Sequence, residues 1–113
     1  MLVNNEHDVQ TISVDELKKI YDINNDINLI DVRELDEWQT IHIPRAIHIA
    51  KDDLSTKILQ EIPKKNEPIY LHCRGGVRSL HAASALLDLG YTDVYSVDGG
   101  ILAWEKAGFP TET

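Results

Sequence analysis

The sequence predicts an α/β fold: a central, mostly parallel sheet of about five strands flanked by helices. Two observations carry this. Short apolar runs of strand type alternate along the chain with segments whose apolar residues recur at helical spacing. At one junction, Ile69, Tyr70 and Leu71 read as the end of a buried strand. After the glycine pair Gly75-Gly76, residues Leu80, Ala83, Ala85, Leu86 and Leu89 repeat as a helix would. A strand feeding a helix through a tight turn is the unit of a parallel sheet.

The elements follow in order. Met1 to Asp8 is polar and reads as a frayed, flexible end. Val9 to Ile12 is a short strand. Ser13-Val14-Asp15-Glu16 has the capping-box pattern, and Leu17, Ile20 and Tyr21 then form a helical stripe. Asn24-Asn25-Asp26 is a turn. Ile27 to Val32 is a central strand that includes Asn28 and Asp31. Glu34 to Thr40 is a short helix carrying Trp38, which is expected to pack in the core. Ala46 to Ile49 is a short strand, and Ser55 to Ile62 a helix stopped by Pro63. Lys64 to Pro68 is a solvated loop. The strand before Cys73 and the helix after it come next, with Gly90 as the C-cap. Asp93 to Val97 is the last strand. Asp98-Gly99-Gly100 turns into a last helix, Ile101 to Ala107, ended by Gly108 and Pro110.

Length and composition narrow the function classes. The 113 residues are expected to form a single domain, 1–113, burying roughly two-thirds of the unfolded surface. Nineteen acidic against eleven basic residues give a net charge of −8. That opposes a nucleic-acid partner or an anionic membrane surface. The start of the chain has neither a basic nor an apolar leader segment, and no apolar run would span a bilayer, so the cytoplasm is the expected compartment. His42 and His48 match no zinc spacing and read as structural or solvent-facing, as does His81. No metal or organic cofactor is implied.

Cys73 is the only cysteine. It stands at the carboxyl end of a strand, where ligands bind in open α/β sheets. The flexible backbone of Gly75 and Gly76 permits a tight curl whose N–H groups point inward as an anion-binding nest. The first turn of the next helix adds unpaired N–H groups, and Arg74 and Arg78 add two permanent charges. A free thiol titrates at about 8.5. Helix N-termini and arginines lower that to roughly 3.5–7.5. Cys73 is therefore expected to be a thiolate, a nucleophile for an anionic substrate, with Arg74, Gly75, Gly76, Val77, Arg78 and Ser79 as its cradle. Asp31 and Arg33 end a neighbouring strand. They read equally as support for this loop and as a cap with a surface ion pair.

Four stretches resemble the rhodanese-like sulfurtransferases. They are Leu29-Ile30-Asp31-Val32-Arg33-Glu34; Glu37-Trp38 with His42 to Ile49; Tyr70 to Ser79; and Asp98-Gly99-Gly100-Ile101-Leu102-Ala103-Trp104. Together they run in family order over nearly the whole chain. Ile41 and Arg45 stand where the family usually has glycine, so the local backbone there departs from the pattern. The resemblance implies a rhodanese-like fold and a cysteine that takes up sulfur as a persulfide. Cys73 to Arg78 is C-x4-R, whereas relatives that handle phosphate or arsenate use C-x5-R, so the loop favours sulfur.

The implied function is a thiosulfate sulfurtransferase. A small anionic sulfur donor such as thiosulfate loads Cys73, and cyanide or a thiol, including that of a sulfur-relay protein, unloads it. With no second cysteine, the sulfur must leave to another molecule. Ser79 would cap the helix or donate to the persulfide. The alternative is a non-enzymatic persulfide carrier or interaction module, loaded by a partner protein.

Overall fold

The structure, a computed structural model, describes residues 8–113. The expected frayed end therefore lies, for residues 1–7, outside the described residues. The strands are β1 (Gln10–Ile12), β2 (Leu29–Asp31), β3 (Ile47–His48), β4 (Ile69–His72) and β5 (Val94–Val97). The helices are α1 (Val14–Ile23), α2 (Leu35–Thr40), α3 (Leu54–Glu61), α4 (Val77–Asp88) and α5 (Gly100–Lys106), with a 3₁₀ turn at Lys51–Asp53. The five strands form one sheet in the order β1-β5-β4-β2-β3, and every pairing is parallel.

This order places the site. The chain leaves β2 towards β3 on one side, and leaves β4 towards β5 on the other. The two connections diverge, so a crevice opens at the carboxyl ends of β2 and β4. Asp31 is paired with His72 there, one residue before Cys73.

Alternation along the strands divides the core into two layers. Ile30, Ile69, Leu71 and Val94 pack with Leu54 and Ile58 of α3 and with Ala82, Ala83 and Leu86 of α4. Leu29, Tyr70 and Val97 face the other way, onto Leu17 and Tyr21 of α1 and Ile101 and Trp104 of α5. Cys73 belongs to the first layer. Each fully buried Leu or Ile contributes about 1.5–3 kcal/mol over its exposed state.

Local signals in the sequence find their counterparts. Ser13 Oγ accepts the Glu16 N–H (3.1 Å) and so caps α1. Gly90, at φ +96°, ends α4 in a Schellman motif: its N–H donates to Leu87 O (3.0 Å), and Tyr91 N–H to Leu86 O (3.1 Å). Lys65 is not simply solvated, because its Nζ donates to the Leu89 carbonyl (2.7 Å).

Two expectations are corrected, and one of the two readings of Asp31 and Arg33 is excluded. On α4 the buried stripe is Ser79, Ala82, Ala83 and Leu86, while Leu80 and Ala85 are exposed. The helix buries small residues because it lies close against the sheet, and spacing alone does not separate that stripe from its neighbour. Trp38 is half-buried outside both core layers, and α2 buries no residue fully. Its indole stacks instead on His42 (centroids 3.8 Å apart, planes 6° apart) and near His48 (5.3 Å). Asp31 and Arg33 form no surface pair: they are 0% and 3% exposed.

Where the sequence departs from the family's glycine pattern, Ile41 is ordinary extended backbone at φ −162°. Arg45 adopts φ +71°. Ile43-Pro44-Arg45-Ala46 closes a turn with Ala46 N–H on Ile43 O (3.2 Å), and a left-handed third residue is what a type II turn requires. The arginine side chain offsets that strain. It donates to Tyr21 O (2.6 Å) and Asn24 O (3.2 Å), and its guanidinium lies 3.7 Å from the centre of the Tyr21 ring.

Candidate functional site

Cys73 follows the last residue of β4 and is 1% exposed. The chain then curls through Arg74, Gly75 and Gly76 into α4. Gly76 makes the curl: its φ is +112°, and its N–H donates to Cys73 Sγ at 3.1 Å. Gly75 needs no such freedom. Its φ is not positive, and an added Cβ would meet nothing within 4 Å, so the loop is open at that point. Ser79, one turn into α4, lies behind the sulfur, with Oγ 3.6 Å from Sγ, 3.1 Å from Gly76 O and 2.7 Å from Ser96 Oγ on β5.

The thiol is pulled below its ordinary value, as expected. Burial alone pushes it up. That is outweighed by the Ser79 backbone N–H and hydroxyl, and then by the N–H groups of Gly76 and Gly75. The N–H groups and the hydroxyl favour the thiolate, and Arg78 adds a coulombic attraction to the sulfur.

The first turn of α5 holds the loop in this shape. Ile101 N–H donates to Cys73 O (2.9 Å) and Leu102 N–H to Arg74 O (3.2 Å). With both carbonyls drawn outward onto α5, the following peptides turn their N–H groups towards the sulfur. Gly100, at φ +56°, permits the approach: a Cβ there would stand against the Cys73 carbonyl and within 2.6 Å of Arg74 O.

The two arginines are placed differently. Arg78 is clamped by Glu37 of α2, Nη1–Oε1 at 2.7 Å and Nη2–Oε2 at 3.0 Å. This bidentate bond holds the Glu37 carboxyl at about 2 and raises Arg78 further. Arg74 is exposed and lines a cleft of about 240 Å³ with Arg33, Glu37, Ile101 and Leu102. Asp36 and Glu105 line the same cleft, and the Arg78 side chain is itself about one-third exposed. Val77 points outward, 67% exposed.

Asp31 and Arg33 form a buried ion pair, Oδ2–Nη2 at 2.7 Å. Asp31 Oδ1 also accepts the Arg33 N–H (2.9 Å), and Arg33 Nη2 reaches Ile41 O (2.7 Å). His72 is fully buried beside them, with Nε2 3.7 Å from Asp31 Oδ2 and without a hydrogen-bond partner. Burial lowers its pKa. His48 Nε2 donates to Arg33 O (2.7 Å), while His42 lies 2.8 Å from Trp38 O and 3.1 Å from Glu112 Oε2. His81 is exposed on α4. Among the described residues no three metal-ligating side chains come together, and no helix is long and apolar enough to cross a membrane.

Residue logic gave no individual role to Glu37, Gly100 or Ser96. The signal for Ser96 was a lone small polar residue inside the apolar run Val94–Val97. Glu37 and Gly100 stood in motifs, but only the fold shows what they touch.

Comparisons with known proteins agree with this geometry. The family model described as Rhodanese-like domain matches residues 13–107. YtwF of Bacillus subtilis is 35% identical over 98 residues, covering 87% of this chain and 92% of its own. The thiosulfate sulfurtransferase GlpE of Vibrio cholerae serotype O1 is 33% identical over 85 residues, covering 75% of this chain and 78% of its own. The crystal structure of a rhodanese-like domain protein from Staphylococcus aureus superposes with a TM-score of 0.70 at 33% identity. It covers 85% of this chain and 91% of that one. A parallel sheet in this order, a cysteine loop at its crevice and these matches together place the chain in the rhodanese-like domain family.

Proposed function

We propose that the protein is a thiosulfate sulfurtransferase working through a Cys73 persulfide. The observation that carries this reading is the Cys73 sulfur, set against inward N–H groups and the Ser79 hydroxyl that favour its thiolate. An anion made in such a cradle is stabilised by dipoles already in place.

In the first half-reaction the Cys73 thiolate attacks the outer sulfur of thiosulfate. The new Sγ–S bond forms as the sulfur–sulfur bond of the donor breaks, and sulfite leaves with the electron pair. Arg74 attracts the anionic donor, and the N–H groups of Gly75, Gly76 and Ser79 hold the charge that stays on the persulfide. In the second, cyanide or a thiolate attacks the terminal sulfur, and the Cys73 thiolate is the leaving group. No general base is needed, because the thiolate is present at the start. The donor is small and anionic, and the acceptor is a thiophile.

The test is steady-state kinetics with thiosulfate and cyanide. Parallel double-reciprocal lines are expected, because sulfite leaves before cyanide reacts. Intersecting lines would contradict the relay. A second reading, a carrier loaded by a protein, is favoured by exposed apolar side chains on the elements bordering the loop: Leu35, Val77 and Leu102. It predicts a folded protein that thiosulfate does not load but a persulfide-bearing partner does.

A further inference from the structure

Ser79 Oγ has three neighbours and one proton: Cys73 Sγ (3.6 Å), Gly76 O (3.1 Å) and Ser96 Oγ (2.7 Å). Ser96 is 1% exposed on β5, and its side chain lies on the same sheet face as α4. Among the described residues, Ser79 is the side chain that its hydroxyl meets. We propose that Ser96 is a positioning residue for the Cys73 thiolate, because its hydroxyl donates to Ser79 Oγ and so leaves the Ser79 proton to point at Sγ.

The direction follows from counting donors. In the thiol form, Cys73 S–H donates to Ser79 Oγ, and Ser79 passes its own proton to Gly76 O. In the thiolate form Sγ only accepts, so Ser79 must donate to it. Ser79 Oγ then loses the S–H as a donor, and Ser96 is the donor that remains in reach. Gly76 O is not orphaned by the switch, since Leu80 N–H also donates to it at 3.3 Å. Without the Ser96 hydroxyl, Ser79 Oγ is a buried acceptor without a donor in the thiolate form alone. A pair of linked hydroxyls also polarises the bond to sulfur.

The charged groups around Sγ are the same with and without the neutral Ser96 hydroxyl. Arg78 on α4 is bound by Glu37 on α2, and Asp31 at the end of β2 and Arg33 two residues after it are bound to each other. His72 on β4 is buried with its imidazole pKa lowered.

The inference deepens the sulfur-transfer reading and rests on it for its bearing on turnover, but its test does not need turnover. The rate of Cys73 alkylation by iodoacetamide would be measured against pH on the full chain, for the wild type, Ser96→Ala, Ser96→Thr and Ser96→Val. Thr and Val have the same shape, and only Thr keeps the hydroxyl. The wild type and Ser96→Thr are expected to share one midpoint. Ser96→Ala and Ser96→Val should titrate about 0.5–1 pH unit higher, leaving roughly 3–10-fold less thiolate below the midpoint. In a Ser79→Ala background, Ser96→Ala should add no further shift. Equal midpoints in the wild type and Ser96→Ala, or a full shift in the Ser79→Ala background, would overturn the inference. Ser96→Ala only removes an oxygen, so it reads the effect even if Ser96→Val misfolds. Alkylation that shifts as expected, in a protein that takes up no sulfur, would sink the transferase reading and leave this one standing.

Discussion

Arg78 and Glu37, 41 residues apart, are joined by two charge-assisted hydrogen bonds of 2.7 and 3.0 Å. They tie α4 to α2 across the crevice between β4 and β2. The pair also offsets the Arg78 charge, while Arg74 on the loop is exposed. Glu37→Gln keeps the oxygen that accepts the Glu34 N–H, so the helix start survives, but it frees the Arg78 charge. Its KM for thiosulfate is expected to fall by about threefold. Arg74→Ala should raise that KM by about 3–10-fold with kcat little changed, as removal of a charge that only gathers the donor would. Initial-rate kinetics on both variants check this, and an unchanged KM in Arg74→Ala would remove Arg74 from the donor site.

The same pair sets an acid limit on stability. The Glu37 carboxyl titrates at about 2 in the fold against 4.5 when unperturbed. A depressed carboxyl stabilises the fold fully above pH 4.5, and that contribution is lost as the pH falls towards 2. The two side chains are about one-quarter and one-third exposed, so solvent screening reduces the contribution to about 1–2 kcal/mol. Urea unfolding of wild type and Glu37→Gln between pH 2 and 6 should show curves that converge at the acid end. A constant gap across the range would contradict the assignment.

The loop's two conspicuous glycines are not equivalent, and a third outweighs the first. Gly75→Ala should change stability by less than about 0.5 kcal/mol, since the added Cβ meets open space and φ is not positive. Gly100→Ala should cost more than about 2 kcal/mol, because its Cβ would meet the Cys73 and Arg74 carbonyls at a left-handed φ. It should also slow alkylation of Cys73 by pushing the loop off α5. Thermal unfolding and alkylation rates separate the two variants.

Arg45 presents a choice between strain and contacts. Arg45→Gly relieves a left-handed residue, worth roughly 1 kcal/mol, and loses the Tyr21 and Asn24 contacts. Arg45→Ala loses the contacts and keeps the strain. The expected order of stability in thermal unfolding is wild type at or above Arg45→Gly, with Arg45→Ala lowest by about 1–2 kcal/mol of unfolding free energy. An alanine variant as stable as the glycine one would show that φ +71° is not strained here.

Much of this was legible in the chain. The strand ending at Leu71, the glycine turn and the helix after it put Cys73 at a strand's carboxyl end without any tertiary information. Ser13 and Gly90 marked helix ends because capping is local chemistry. The reading failed where partners are distant in sequence. Nothing near Arg78 shows that Glu37 will neutralise it, and nothing near Cys73 shows that α5 will take its carbonyl. Trp38 was expected in the core on residue type alone, but its neighbours are two histidines, His42 just past α2 and His48 on β3. Asp31 and Arg33 are two residues apart, yet whether their pair faces water or core depends on β3 and β4 closing over it.

The central claim is that Cys73 carries sulfur. The most direct measurement is the intact mass of the protein after incubation with thiosulfate, for wild type and Cys73→Ala. A gain of one sulfur atom in the wild type, removed by cyanide and absent from the variant, is the predicted result. A folded wild type that gains no sulfur, or a Cys73→Ala protein that gains it equally, would contradict the account.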